Sequence, residues 1–573
     1  MPQTLPTSAA SAVTSSCVAY NSILPLVDLQ LRSGPLLRSL IPRIPSNFSI
    51  FQPTVAVLSA FRARLPTPLR LNNHISPLYY STMATTVEED PSSRTQQSPL
   101  ARQRAKEQGQ DTSKIDWFPL GYKEGFSQWW QGLTPAVTEH RVLSFIPYLQ
   151  SVPTQMQTGL TTGVETPDTG NGSEESEGEF VDAKPVTSTS TNDPYGPRIW
   201  KSELVKLSGK NRALNEFSIE RVGEKTEHNL VMLHGYGAGL GFFYRNFEPL
   251  SRRRGWKLYS LDLLGMGRSS RPAFRIAATD ADSKVGEAEA WFVDALEEWR
   301  AARGLDTFSL LGHSLGGYLA VAYALKYPGH LDKLILASPV GVPEDPHAVA
   351  AAMPDDASAA PPSERAAASA AAPPRRRPRW LTYLWEANIS PFSVVRWAGP
   401  LGPRLVSGWT TRRFSHLPAD EFRALHDYSY SLFRQKGSGE FALAYILTPG
   451  VFARRPLVRR IGGVGRQTLL TEGGGEKERG VPVVFLYGDH DWMDVKGGFD
   501  AKEKVDEETR AAIEGLSLQE QAKDNGSARV VLIENAGHHL YLDNPDEFNR
   551  IIEEEMEGVE RRSRRMARDK MKV

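Results

Sequence analysis

The pattern of apolar and polar positions changes character several times along the chain. "HNLVMLHG" (228–235) is an apolar run that stops at a glycine, the mark of a buried strand. "WKLYSLDLLGMGRSS" (256–270) reads as a second strand running into a Gly-rich loop. "EAEAWFVDALEEWRAARG" (287–304) has helical spacing and a glycine stop. "FSLLGHS" predicts a third strand, "LGGYLAVAYALKYPGH" the helix after it, and "LDKLILASPV" (331–340) a fourth strand. This alternation predicts an α/β fold, a mostly parallel, doubly wound sheet with helices on both faces. After the polar stretches upstream, order is expected to resume near Ile199.

The alternation then breaks. Residues 345–379 are a low-complexity Ala/Pro insertion ending in "PPRRRPRW". From Trp380 to about Gly462 the pattern is helical and aromatic, and the sheet returns with "VPVVFLYGDHDWMD" (481–494) and "ARVVLIENAGHHLYLDNPDEF" (528–548). A helical insertion between two halves of a sheet is expected to cover the strand C-termini as a lid. Upstream, Asp116–Leu149 is aromatic-rich and partly helical in period, expected to pack on the core or rest on a membrane. Residues 160–195 are acidic and Gly/Ser/Thr-rich, and no structure is expected there. The expected segments are thus a leader (1–82), an N-terminal extension with a disordered acidic stretch (83–195) and a first core part (196–344). After them come the insertion (345–379), the lid (380–462), a second core part (463–556) and a basic tail (557–573).

Composition changes this picture in three places. Lys+Arg and Asp+Glu both total 67, so net charge gives no pull toward nucleic acid. The single cysteine, Cys17, forms no intrachain disulfide. No apolar stretch approaches the ~20 residues that span a bilayer. Residues 1–82 carry Arg32, Arg38, Arg43, Arg62, Arg64 and Arg70, no lysine, and Asp28 as their only acid. Arg-rich, Ser-rich and acid-poor is the composition of a mitochondrial transit peptide. A cut is expected near Tyr80 or Ser81.

The chemistry centres on Gly312-His313-Ser314-Leu315-Gly316, a G-x-S-x-G motif between a strand and a helix. Such a turn holds a serine at the N-terminus of a helix, where free N–H groups favour negative charge. An activated serine needs a base, a group that orients the base, and an oxyanion hole. The candidate base is His538 in "ENAGHHL", with His539 its competitor. The candidate acid is Asp491 in "YGDHDWMD", with Asp489 and Asp494 as alternatives. The candidate oxyanion donors are the backbone N–H groups of Tyr236, in "LHGYGAG", and Leu315. This chemistry calls for no metal and no cofactor.

The motifs HGYGAG, DLLGMGRSS, GHSLGGYLA, YGDHDWMD and GHHLYLDNPDEF resemble the α/β-hydrolase fold. More narrowly they resemble its lipid-acting branch: lysophosphatidic acid acyltransferases, lipase co-activators and the cardiolipin-specific deacylases of fungal mitochondria. "NISPFSVVRWAGPLGPRLVSGW" (388–409) resembles the same branch, and the likeness spans roughly 196–556 apart from the Ala/Pro insertion. In that family the co-activators carry asparagine where this chain has Ser314, which implies a working enzyme rather than a non-catalytic lipid-binding regulator. The family's acid lies at different offsets, and Asp494 matches some members. His538-x4-Asp543 fits a box claimed for acyltransferases, although Asp543 or Asn544 before Pro545 also reads as a helix cap. The resemblance and the leader together imply a mitochondrial serine hydrolase that deacylates cardiolipin. An acyl-CoA-dependent lysophospholipid acyltransferase is the alternative. Trp380, Trp385, Trp397 and Trp409 interleave with Arg375–Arg377, Arg379, Arg412, Arg413, Arg454, Arg455, Arg459 and Arg460. That mixture suits peripheral docking on an anionic mitochondrial membrane with a phospholipid as substrate.

Overall fold

The computed structural model describes residues 118–157, 184–345, 379–469 and 475–571. The expected leader, the polar stretch after it, most of the acidic stretch and most of the Ala/Pro insertion lie outside these residues.

Two N-terminal helices, α1 (Tyr122–Gln131) and α2 (Pro135–Leu143), precede the sheet; Thr134 caps α2 by accepting from Val137 N. The strands are β1 (Val186–Thr189), β2 (Arg198–Lys206), β3 (Ala213–Arg221), β4 (His228–Leu233), β5 (Trp256–Leu261), β6 (Phe308–His313), β7 (Leu331–Ala337), β8 (Pro482–Gly488) and β9 (Ser527–Ile533). They form one nine-stranded sheet in the order β1-β2-β3-β5-β4-β6-β7-β8-β9. From β5 to β9 every pairing is parallel, whereas β1–β2, β2–β3 and β3–β5 are antiparallel. β6 and β8 are buried along their whole length, which is why each reads as an unbroken apolar run.

Helices α3 (Tyr244–Leu250), α4 (Ala281–Arg303) and α5 (Leu315–Lys326) connect the central strands. They divide between two apolar layers. One holds Phe292, Trp299 and Tyr318; the other holds Phe243, Phe247 and Ile552. Between β7 and β8 lies the lid, with α6 (Arg379–Glu386), α7 (Pro391–Trp397), α8 (Gly402–Phe414) and α9 (Ala419–Phe433). After β8 and β9 come α10 (Val495–Ile513) and α11 (Pro545–Lys570).

At four points the structure corrects or extends the expectations. Order resumes before Ile199, because β1 lies inside the stretch expected to lack structure. It is short and polar, and it survives by pairing with β2, Val186 opposite Ser202. Of the two placements expected for the N-terminal aromatic-rich stretch, α2 takes the one on the core. Glu139 of α2 is buried against Arg268, Tyr428 and Asn215, and burial raises its carboxyl above the usual range despite the arginine. The basic tail is largely helical. α11 runs through it, with Met556 and Val559 buried and Arg561–Glu557 and Arg564–Glu560 paired one turn apart at 2.8 and 3.2 Å. Finally, the cap before Pro545 is Asn544, whose side chain accepts from Glu547 N.

Candidate active site

In an open α/β sheet the ligand crevice lies outside the strand C-termini where the winding direction reverses. Here β4 is flanked by β5 on one side and β6 on the other, so the crevice is bounded by the loops after β4 and β6. Ser314 follows β6 directly. It sits at φ +53°, ψ −115°, a left-handed backbone that costs on the order of 1–3 kcal/mol in a non-glycine residue. Neighbouring glycines make the turn feasible. A Cβ at Gly312 would lie 2.3 Å from the Gly316 carbonyl oxygen, and one at Gly316 would lie 2.7 Å from those of Leu233 and His234. The turn is pinned by Ser314 N–H donating to the Ala337 carbonyl at 2.9 Å.

His538 Nε2 lies 3.1 Å from Ser314 Oγ, and His538 Nδ1 lies 3.2 Å from Asp491 Oδ1. The Asp491 side chain is fully shielded and that of His538 is 12% exposed. Asp491 also accepts from Met493 N at 3.1 Å and, through Oδ2, from the Ser338 hydroxyl. Nothing in the sequence singled out Ser338, a lone serine after a strand. His313 also went unassigned. Its Nε2–H donates to the His538 carbonyl at 2.9 Å and so fixes the backbone of the candidate base.

The alternatives fall elsewhere. His539 packs among Phe242, Trp409, Phe414 and Tyr541, and burial holds its pKa well below the ordinary histidine value. Asp489 ties down the loop after β9 by accepting from Asn535 N and Ala536 N, both at 3.0 Å. Asp494 caps α10, accepting from Lys496 N at 2.9 Å. Asp543 accepts from Gly537 N at 2.9 Å and lies 3.1 Å from His416 Nε2. Of these carboxylates, Asp491 is the one that meets His538.

The two candidate oxyanion donors flank the serine. Leu315 is the first residue of α5, so its N–H has no carbonyl one turn back. Gly235 brings the Tyr236 loop against the serine: a Cβ there would lie 2.9 Å from Ser314 Cβ. His234 sets that loop. Its Nδ1–H donates to the Gly235 carbonyl at 2.8 Å and its Nε2 accepts from Leu263 N at 3.0 Å. Burial pulls its pKa to about 4, keeping it neutral. Asp262, which accepts from Leu240 N, Arg268 N and Asn215 Nδ2, organises the adjoining Gly-rich loop.

The lid closes over this loop. The Tyr236 ring stacks on Phe392 at 4.7 Å, and Phe392 stacks on Phe433 at 4.3 Å. Gly237, Met266 and Arg271 line the narrow space beneath. Of the lid tryptophans, Trp385 donates to the Leu447 carbonyl and Trp409 packs near His539, while Trp397 is 72% exposed. Among the described residues no helix is long and apolar enough to cross a membrane, and no cluster of His, Cys, Asp and Glu is placed to hold a metal ion.

Comparison with known proteins follows the same lines. Residues 229–384 match the model of the alpha/beta hydrolase fold family. The chain is 34% identical over 355 residues to an Arabidopsis thaliana 1-acylglycerol-3-phosphate O-acyltransferase, covering 60% of this chain and 70% of that one. It is 34% identical to the mouse 1-acylglycerol-3-phosphate O-acyltransferase ABHD5, covering 62% of this chain and 85% of that one. A mouse (lyso)-N-acylphosphatidylethanolamine lipase is 33% identical, covering 59% and 81%. With such relatives matched over most of their length, and with the sheet that the fold requires, the chain belongs to the α/β-hydrolase family that contains the 1-acylglycerol-3-phosphate O-acyltransferases.

Proposed function

We propose that the protein is a lipid-acting serine hydrolase that removes an acyl chain from a membrane phospholipid. The observation that carries this reading is the relay Asp491–His538–Ser314, with both contacts at hydrogen-bond reach. In the reaction, Ser314 Oγ attacks the ester carbonyl as His538 Nε2 takes its proton. The oxyanion is held by the N–H groups of Tyr236 and Leu315, and His538 returns the proton to the departing lysolipid alkoxide. Water, deprotonated by His538, then releases the fatty acid and restores the serine.

The finer reading is that cardiolipin is the substrate and monolysocardiolipin the product, at the surface of a mitochondrial membrane. It is supported by the Arg-rich, acid-poor composition of residues 1–82 and by the exposed aromatic groups near the lid. On α1, Trp130 is 74% exposed and stacks with Phe126. That helix packs beside the turn after Trp397, where a Cβ on Gly125 would meet the Pro400 carbonyl at 3.8 Å. Such a patch suits an interfacial anchor.

The names of the relatives favour a second reading, transfer of an acyl group from acyl-CoA to a lysophospholipid hydroxyl. Against a dedicated H-x4-D base stands the pairing of the two residues: His538 faces Ser314 and Asp491, whereas Asp543 faces Gly537 N and His416. Purified protein incubated with vesicles of cardiolipin, phosphatidylethanolamine or phosphatidylcholine, without CoA, tests both. Fatty acid released chiefly from cardiolipin is the expected result. Equal release from all three removes the headgroup claim. Release or transfer only after acyl-CoA and a lysolipid are added replaces the hydrolase reading. Location is tested by fusing residues 1–82 to a fluorescent protein, and a diffuse cytosolic signal removes the mitochondrial assignment.

A further inference from the structure

Three of the arginines expected to face lipid are paired with carboxylates, and Arg375–Arg377 lie outside the described residues. Arg455 pairs with Asp282 at 2.6 Å and Arg460 with Glu289 at 2.7 Å. Arg459 pairs with Glu344 at 2.6 Å, and Arg396 of the lid pairs with Glu440 at 2.7 Å. Arg412 and Arg413, at the end of α8, differ. Among the described residues neither has a carboxylate partner. The hydrogen bond of Arg413 goes to the Trp409 carbonyl at 3.4 Å, and its guanidinium lies over the Trp409 ring at 4.6 Å.

Their position matters as much as their freedom. The Trp409 ring lies 6.4 Å from that of His539, which lies 5.5 Å from that of His538. Phe414, next in sequence, touches His539 at 5.0 Å. Arg413 therefore sits two rings away from the candidate base, and its charge is felt at His539. Burial pulls the Arg413 guanidinium down to about 10, with Arg412 adding repulsion, so it stays cationic at neutral pH. Burial lowers Arg412 as well. Two adjacent cations, partly desolvated and without counter-ions, are costly to keep unless an anion joins them. The carboxylate of Asp543, in the same region, is engaged with His416 and Gly537 N.

We propose that Arg412 and Arg413 form the phosphate subsite for the headgroup of a phosphoglyceride whose acyl ester reaches Ser314. This rests on the hydrolase reading above and names the substrate class it takes. A phosphoglyceride carries its phosphate and its acyl esters on one glycerol backbone, so a single lipid offers both groups. Guanidinium groups bind phosphate oxygens in pairs, and Trp409 holds one of them in place by stacking.

The test uses the full chain carrying Ser314→Ala, so that binding is read without turnover. Dihexanoyl phosphatidate and uncharged dihexanoylglycerol are titrated by calorimetry. Phosphatidate is expected to bind at least tenfold more tightly. Arg413→Gln is expected to remove about tenfold of its affinity while leaving dihexanoylglycerol unchanged, and Arg413→Lys to keep part of it. Arg412→Gln gives the same reading if Arg413→Gln fails to fold, which the melting temperature reports. Equal affinity for the two lipids overturns the proposal, as does an equal loss for both or no loss in either variant. Coenzyme A and inorganic phosphate serve as competitors, and weak competition is expected. Coenzyme A binding more tightly than phosphatidate, and lost in Arg413→Gln, assigns the subsite to an acyl donor and overturns the headgroup assignment. Failure of the native chain to hydrolyse any ester would remove the hydrolase reading while leaving these affinities as they stand.

Discussion

Ser338 donates its hydroxyl proton to Asp491 Oδ2, the carboxylate oxygen that does not face His538. Ser338 follows the last residue of β7 and holds a positive φ of 46°. Its hydroxyl is thus aimed across the sheet at the loop after β8. With the Met493 N–H it fixes the rotation of a carboxylate that has no contact with water. Ser338→Ala leaves that oxygen short of a donor, at a cost of about 1–3 kcal/mol. We expect kcat on a soluble ester to fall about tenfold with KM unchanged, and fluorophosphonate labelling of Ser314 to slow in proportion. A change in melting temperature alone would make Ser338 merely structural.

Asp491 and Asp494 separate cleanly by substitution. Asp491→Asn keeps the shape but loses control of the His538 tautomer, and kcat is expected to fall by about 10⁴-fold. Asp494→Asn preserves a capping side chain at α10, and activity is expected to stay within about twofold. The reverse ranking in a steady-state assay would move the acid to Asp494.

That pair also shows where the sequence was legible. Ser314, Asp491 and His538 each follow a strand whose apolar run is plain, so the strand ends could be located and the residues counted from them. The antiparallel edge was harder. The buried positions of β2 are Arg198, Trp200, Ser202, Leu204 and Val205, so the apolar alternation is broken by an arginine. Arg198 is tolerated there because Asp193 and Glu248 pair with it at 2.7 and 2.8 Å, partners that no local pattern announces. α10 was missed for a related reason, since few of its side chains are buried and its surface is mostly charged. Ser338 and His313 act through residues more than 150 and 220 positions away, beyond any spacing rule.

Ser314 carries backbone strain that a glycine would relieve. Ser314→Gly is therefore expected to abolish fluorophosphonate labelling and raise the melting temperature by a few degrees. Ser314→Ala should abolish labelling without that gain, because alanine keeps the Cβ. Labelling that persists in either variant would place the nucleophile elsewhere.

Stability should fall steeply in mild acid. His234 and His426 have pKa values of about 4 when folded, because both are buried. Burial also pulls His313 and His539 well below the ordinary value. The unfolded chain takes up protons at these histidines near pH 6.5 while the folded chain does not. Their contribution is thus complete above about pH 6.5 and declines as the pH drops toward 4, by up to about 1.4 kcal/mol per unit for each histidine. Urea midpoints measured at pH 7.5, 6 and 5 check this, and flat midpoints across that range would refute it.

The exposed aromatics make a prediction about surfaces. Trp130→Ser with Trp397→Ser is expected to reduce co-sedimentation with anionic vesicles several-fold, with far-UV circular dichroism and melting temperature unchanged. Undiminished co-sedimentation would assign membrane contact to another face.

The latch between the N-terminal helices and the lid has a mechanical consequence. Asp427 of α9 is gripped from α1 by Gln128 at 2.7 Å and from α2 by Arg141 at 2.6 Å, and Ser431 bonds Thr138 at 2.7 Å. Glu139, between these contacts, is fastened through Arg268 to the Gly-rich loop after β5 and also meets Tyr428 of α9. A cover riveted along one helix has lost its freedom to swing as a single flap. α6 and α7 share none of these contacts with α1 and α2, and Phe392 of α7 covers Tyr236. On that geometry, access to Ser314 is expected from the side of the Phe392–Tyr236 stack, with α9 acting as a fixed ceiling.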